Sequence, residues 1–246
     1  VGAVQYLAHR YNAGVYGTPY TMEVLKSLLP ERGLPMHNKM HTIKSNGVTT
    51  VNGKEKYKVE FVNMTHSTLQ CALVAVHTPE GVVLYANDYK LDNTPVIGDK
   101  PNYRRLKELS KIGVKALIVN CLYAHSEKKT PSEQVAREMV RDTLINTEDS
   151  KSGLVVTTFA SHIARLKSIV DFGQKLDRKI VFVGRSLAKY VSAGEVINQV
   201  PFKKNIIMAT YKKQVEKFLK QANEDRSKYL IVCTGHQGEK GSILDR

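Results

Sequence analysis

From residue 153 onward, short apolar runs alternate with amphipathic stretches, and this rhythm constrains the fold more than any other feature. GLVVTTF (153–159) precedes SHIARLKSIVDFGQKL (161–176), and KIVFVG (179–184) precedes SLAKYVSAGEVI (186–197). NIIMAT (205–210) precedes YKKQVEKFLKQANE (211–224), and YLIVCTG (229–235) closes the series. The apolar runs have strand length, and the stretches between them carry apolar residues at helical spacing. Strand–helix alternation of this kind predicts βαβ units and a doubly wound, mostly parallel sheet.

The first half has another rhythm. VGAVQYLAHRY (1–11) has helical spacing with no capping residue before it. VYG (15–17) reads as a short strand, and TPYTMEVLKSLLPERG (18–33) as a helix opened by Thr-Pro and ending near Gly33. Residues 47–63 read as alternating strands about the Asn52–Gly53 turn. CALVAVHT (71–78) and VVLYAND (82–88) form a hairpin across Pro79–Gly81. A basic helix (102–112) and the apolar strand VKALIVN (114–120) follow. TPSEQVAREMVRDTLI (130–145) reads as a helix with Pro131 at its first position. The polar stretch NTEDSKSG (146–153) then divides a β-rich layered domain over 1–148 from a doubly wound domain over 149–246.

Composition narrows the function. Of 246 residues, 42% are apolar, enough for a buried core, and 37 Lys+Arg against 23 Asp+Glu leave a net charge of +14. That balance points to a polyanion such as nucleic acid, or to an anionic surface. The lysine-rich stretch 203–221 contributes much of it and also fits a solvated helix face. No apolar run approaches the roughly 18 residues that cross a bilayer, and the first residues lack the layout of a signal peptide. Cys71, Cys121 and Cys233 are widely spaced and odd in number, which fits reduced thiols in a cytoplasmic protein.

Ligands of an open parallel sheet meet the carboxyl ends of its strands. In the second half that rule selects Thr158–His162, Gly184–Ser186, Thr210 and Thr234–Glu239. Ser161 and Ser186, each near a helix start, suit either an anion site, with His162 and Arg185 beside them, or plain N-caps. In the first half His66, in MTHST (64–68), and Asp88, after VVLYAN (82–87), stand at strand ends. An acid there is costly if buried unless something pairs with it. A histidine and an aspartate so placed can share a metal, or can be an exposed pair at capped strand ends. His37 and His41 are four apart in a loop with Pro35, a poor setting for ligation.

Several segments, in order, resemble one family. THS (65–67), NDYKLDNTP (87–95), TPSE (130–133), TFASHIARL (158–166), VGRSLAKY (183–190) and CTGHQGE (233–239) resemble segments of the metallo-β-lactamase-fold nucleases of the β-CASP group, most closely the archaeal type of ribonuclease J. The family's forms of three of these are GDFKFDxTP, TFASNxxRL and CTGSQGE. The resemblance implies an α/β fold, a partial metallo-β-lactamase-like αββα domain with an inserted β-CASP domain. It implies zinc-dependent hydrolysis of RNA phosphodiester bonds, running 5′→3′ on single-stranded RNA with a 5′-monophosphate, together with endonuclease action. Two Zn²⁺ ions would be held in part by His66 and by Asp88 as bridging carboxylate, with Asp92 a turn residue. Ser161, His162, Arg185 and Ser186 would hold phosphates of the strand. The family is also dimeric, which implies a homodimer.

The departures matter. HxHxDH, the family's principal metal motif, and its late histidine motifs do not occur, so the sequence resembles an internal piece of a longer enzyme. Asn120 stands where the family's first β-CASP motif has an acid, which would accept a hydrogen bond from a metal-binding histidine; an amide can accept one too but carries no charge. An RNA-binding module without catalysis, and a DNA-directed nuclease of the same fold, are the alternatives.

Overall fold

In a computed structural model the chain is described over residues 1–32, 37–53, 55–146 and 151–245. Gly33, Pro35 and residues 147–150, half of the candidate linker at 146–153, lie outside these residues. The chain divides into two compact units, Val1–Ser132 and Glu133–Arg246.

The first unit opens with α1 (Val4–Tyr11), β1 (Val15–Gly17) and α2 (Pro19–Leu28), followed by β2 (Met40–Thr42), parallel to β1. Pro19 sits in the first turn of α2, where its missing N–H costs nothing. A five-stranded sheet follows, built from β3 (Val48–Asn52), β4 (Lys56–Asn63), β5 (Ala72–Thr78), β6 (Gly81–Ala86) and β7 (Val114–Val119) in that order. Its pairs are antiparallel except β6 with β7, which the helix α3 (Tyr103–Ile112) connects and makes parallel.

Period-two alternation buries both faces of β5. Leu73 and Ala75 face a cluster with Val62, Val82, Leu84 and Leu109 of α3, whereas Ala72, Val74 and Val76 pack with Ile43, Val59 and Phe61. Glu60 is buried within this sheet and is held by two hydrogen bonds from Arg105, both 2.8 Å, and by His77. Burial alone would raise the Glu60 carboxyl, but the hydrogen bonds from Arg105 and His77 outweigh it and hold it below the ordinary value. VKALIV forms β7 as the sequence indicates, but the strand lies at the sheet edge and every residue of it is exposed.

The second unit comprises α4 (Glu133–Ile145), β8 (Leu154–Thr157), α5 (Ile163–Lys175), β9 (Lys179–Val183), α6 (Arg185–Val196), β10 (Ile207–Ala209), α7 (Lys212–Glu224) and β11 (Tyr229–Cys233). The strands are all parallel, in the order β10-β9-β11-β8. On one face α7 contributes Val215, Phe218 and Ala222 against Val181, Val183 and Ala209. On the other α5 approaches so closely that a Cβ at Gly173 would lie 3.0 Å from Ile180 and Leu230. Helices on both faces make this a doubly wound sheet.

Two local readings change. The helix α4 begins at Glu133, two residues after Pro131, and it packs on α5. By packing, α4 therefore belongs with the second unit, although the polar stretch that marks a boundary by composition follows it.

Candidate functional site

The first set of candidate residues gathers at one end of the five-stranded sheet. Ala86 of β6 lies opposite Val119 of β7, so the chain leaves both strands side by side. Asn120 Nδ2 donates to Asp88 Oδ1 at 2.5 Å, and Asn120 Oδ1 accepts from the Leu122 N–H at 2.8 Å. The second bond orients the amide, carbonyl to backbone and NH₂ to carboxylate. The resemblance implies a hydrogen-bond acceptor for a metal-binding histidine at position 120; in this structure the Asn120 amide donates to Asp88.

Asp88 is exposed, so a burial cost does not arise for it. The buried acid is Asp92, 3% exposed. One carboxylate oxygen of Asp92 accepts from the Thr94 N–H at 2.9 Å, forming a turn, and the other lies 3.5 Å from Lys90 Nζ. Thr65 ties this segment to the one bearing His66. Its carbonyl accepts from the Lys90 N–H at 2.7 Å, and its hydroxyl donates to the Lys90 carbonyl and accepts from the Asp92 N–H. His66 follows directly, half-buried, with Nδ1 3.1 Å from the Ser67 hydroxyl.

The donor chemistry fits part of a zinc site. An imidazole and an exposed carboxylate are zinc ligands. Cys71 is not a third: burial, and then the charge of Asp88, push its thiol up to about 11, and it donates to the Asp88 carbonyl. Among the described residues no group of three or more His, Cys, Asp or Glu is placed to hold a metal. These residues alone do not complete a tetrahedral cage.

The second set lies at the carboxyl end of the parallel sheet. The N-cap of α5 is His162, whose Nδ1 accepts from the Arg165 N–H at 3.4 Å. Ser161 precedes the cap, and its hydroxyl makes no hydrogen bond among the described residues. His162 Nε2 lies 3.4 Å from Glu133, which also accepts from Arg165 Nε at 2.7 Å and Nη2 at 3.1 Å. Burial would raise the Glu133 carboxyl, but hydrogen bonds from His162 and Arg165 outweigh it and hold it down at about 2. His162 thus contacts both Glu133 and the helix start.

Gly184, at φ 118°, caps α6, and a Cβ there would meet Ile243 at 3.1 Å. Arg185 and Ser186 follow, both exposed, in the first turn of α6. Neither Ser161 nor Ser186 is an N-cap. The structure brings Ser161 and His162 to the end of β8, and Arg185 and Ser186 to the end of β9, with β11 between.

Sequence reasoning missed the Glu133–Arg165 pair and the contact of Phe159 with His236, rings edge to face with centroids 4.2 Å apart. The signal for the latter was present, since His236 replaces the serine of CTGSQGE.

Residues 151–246 match the family model described as ribonuclease J, β-CASP domain. The ribonuclease J of Pyrococcus abyssi is 41% identical over 248 residues, an alignment that takes in the whole chain and 54% of that relative. The ribonuclease J of Methanocaldococcus jannaschii is 39% identical, with 55% of it covered. The chain is thus similar along its whole length to archaeal ribonuclease J, and its residues 151–246 match that family's β-CASP domain. It spans about half the length of these archaeal relatives. Ribonuclease J of Helicobacter pylori is 28% identical and is covered over 34% of its length. A crystal structure of a protein of unknown function from Enterococcus faecalis V583 superposes with a TM-score of 0.50 at 14% identity, covering 91% of this chain and 65% of that one. That likeness concerns the fold alone.

Proposed function

We propose that this chain is part of a zinc-dependent ribonuclease that hydrolyses RNA phosphodiester bonds, working 5′→3′ from a 5′-monophosphate on single-stranded RNA and also cutting internally. The observation that carries the reading is the carboxylate of Asp88, exposed at a strand end and oriented by Asn120, with the segment of His66 tied alongside. His66 and Asp88 would hold part of a zinc pair, and the remaining donors are not among the described residues. Zinc, when bound, supplies charge stabilisation at the scissile phosphate.

The chain's own residues do the rest by position. Asn120 holds one oxygen of Asp88 and leaves the other to face a ligand. The Ser161 hydroxyl and the exposed first turn of α6, with Arg185 and Ser186, would hold strand phosphates by hydrogen bonds and charge. A terminal phosphate gripped at a fixed place sets which linkage is cut, and so explains stepwise trimming. The net charge of +14 supports sequence-independent affinity for RNA. Among the described residues no helix is long and apolar enough to cross a membrane. A cytoplasmic location and a homodimer belong to the same proposal, the former supported by three cysteines free of disulfides.

The test is RNA cleavage by the full-length protein and its Asp88→Ala variant, with zinc supplied, on RNA bearing a 5′-monophosphate or a 5′-triphosphate. Cleavage lost in the variant, and faster on the monophosphate, supports the reading. Undiminished cleavage by Asp88→Ala refutes it. Equal binding of RNA by both proteins without any cleavage favours an RNA-binding module. Faster degradation of the corresponding 5′-phosphorylated DNA favours a DNA-directed nuclease.

A further inference from the structure

The aromatic pair at the carboxyl end of the second unit's sheet is left unused by phosphate binding alone. The strands β8 and β11 are parallel neighbours, with Thr157 opposite Cys233, and the Thr158 N–H donates to the Cys233 carbonyl at 3.2 Å. Just beyond this last rung the chain turns out Phe159 on one side and His236 on the other. Their rings meet at 87° with centroids 4.2 Å apart. An edge-to-face contact covers only one ring face, and Phe159 remains 48% exposed, with His236 exposed too.

The loop that presents His236 is braced. Gly235 adopts φ +125°, and a Cβ there would lie 2.6 Å from Leu244 and from the Ser242 hydroxyl. The Gly238 N–H donates to the Gly235 carbonyl at 3.0 Å, and the Leu244 N–H to the Thr234 carbonyl at 3.2 Å. A ring held on a fixed loop loses little entropy when something stacks on it. Two residues from Phe159 stands Ser161, whose hydroxyl is released from capping because His162 does that work.

We propose that Phe159 and His236 form a stacking site for one base of a bound single strand, beside a phosphate held at Ser161. Every base has a π-face, so such a site grips without reading sequence. The inference rests on the proposed RNA-directed function and adds to it a subsite that the family's CTGSQGE, with serine at this place, would lack.

The experiment is binding of a 5′-monophosphorylated RNA oligomer to the full-length protein, repeated with a single abasic residue moved inward from the 5′ end. In the unaltered protein, one position near the 5′ end is expected to weaken binding about tenfold when its base is missing. Phe159→Ala combined with His236→Ser should bind the intact oligomer about tenfold more weakly and show no such positional loss. His236→Phe should keep it, since any aromatic ring stacks. RNA binding with the same positional loss in the double variant overturns the stacking site and leaves the RNA-directed function standing. A complete absence of RNA binding in the unaltered protein overturns both.

Discussion

The side-chain amide of Asn120 donates to the carboxylate of Asp88 at 2.5 Å, across the ends of two parallel strands. An amide in this position orients the carboxylate without adding a second negative charge to it. Its own carbonyl is fixed by the Leu122 N–H, so the donor end has one direction to face.

Asn120→Ala removes that hold while leaving the exposed Asp88 in place. In the full-length protein, RNA cleavage or zinc affinity should fall by roughly 10- to 100-fold, the usual scale for groups that orient a metal ligand. Steady-state cleavage rates and zinc titration check this, with circular dichroism unchanged.

Ser161 and His162 should separate function from stability. Ser161→Ala removes a hydroxyl that supports nothing internal, so the melting temperature should stay the same while 5′-end-dependent trimming weakens more than internal cleavage. His162→Ala removes the cap of α5 and a contact to Glu133, and should lower stability by about 1–2 kcal/mol. Paired thermal melts and cleavage assays on end-labelled RNA distinguish the two.

Glu133 gives the second unit an acid-sensitive joint. Its carboxyl is held at about 2 against an ordinary 4.5. A group whose folded value is lowered adds stability above its unfolded value and loses it as pH falls toward the folded one. The unfolding free energy from urea titrations should therefore drop between about pH 4.5 and 2, by up to about 3 kcal/mol. Glu133→Gln should be less stable by about 2–4 kcal/mol at neutral pH, because Arg165 and His162 lose their charge partner, and should lack that part of the acid transition.

The thiols offer a direct check of the packing. Cys121 is exposed, whereas Cys71 and Cys233 are buried and burial raises both thiols. A thiol reagent at pH 8 should label Cys121 in the native chain, and all three cysteines only in denaturant.

The strand–helix alternation was legible because it is a local pattern, and so were the hairpin at 71–88 and the positions of Asp88 and His66 just beyond strands. Pairings between distant residues were not. Glu133 looked like part of a helix-start signal, but its carboxylate is taken by Arg165, 32 residues away. Histidine is not a favoured capping residue and serine is, so residue preference points to Ser161, whereas the cap is His162. In the segment that follows β6 the buried acid is Asp92, and Asp88 lies in solvent, because burial depends on the path of the Thr65 segment. The apolar composition of β7 indicated a strand but not which side of the sheet it would close.

That strand has a practical consequence for anyone handling the 246-residue chain by itself. Leu117, Ile118 and Val119 are 58%, 52% and 42% exposed, and Lys115 is the lone charge among the six residues of VKALIV. An uncovered, apolar edge with one charge to guard it is a template for further strands. Aggregation during concentration should begin there, and a second lysine in place of Ile118 is the simplest remedy.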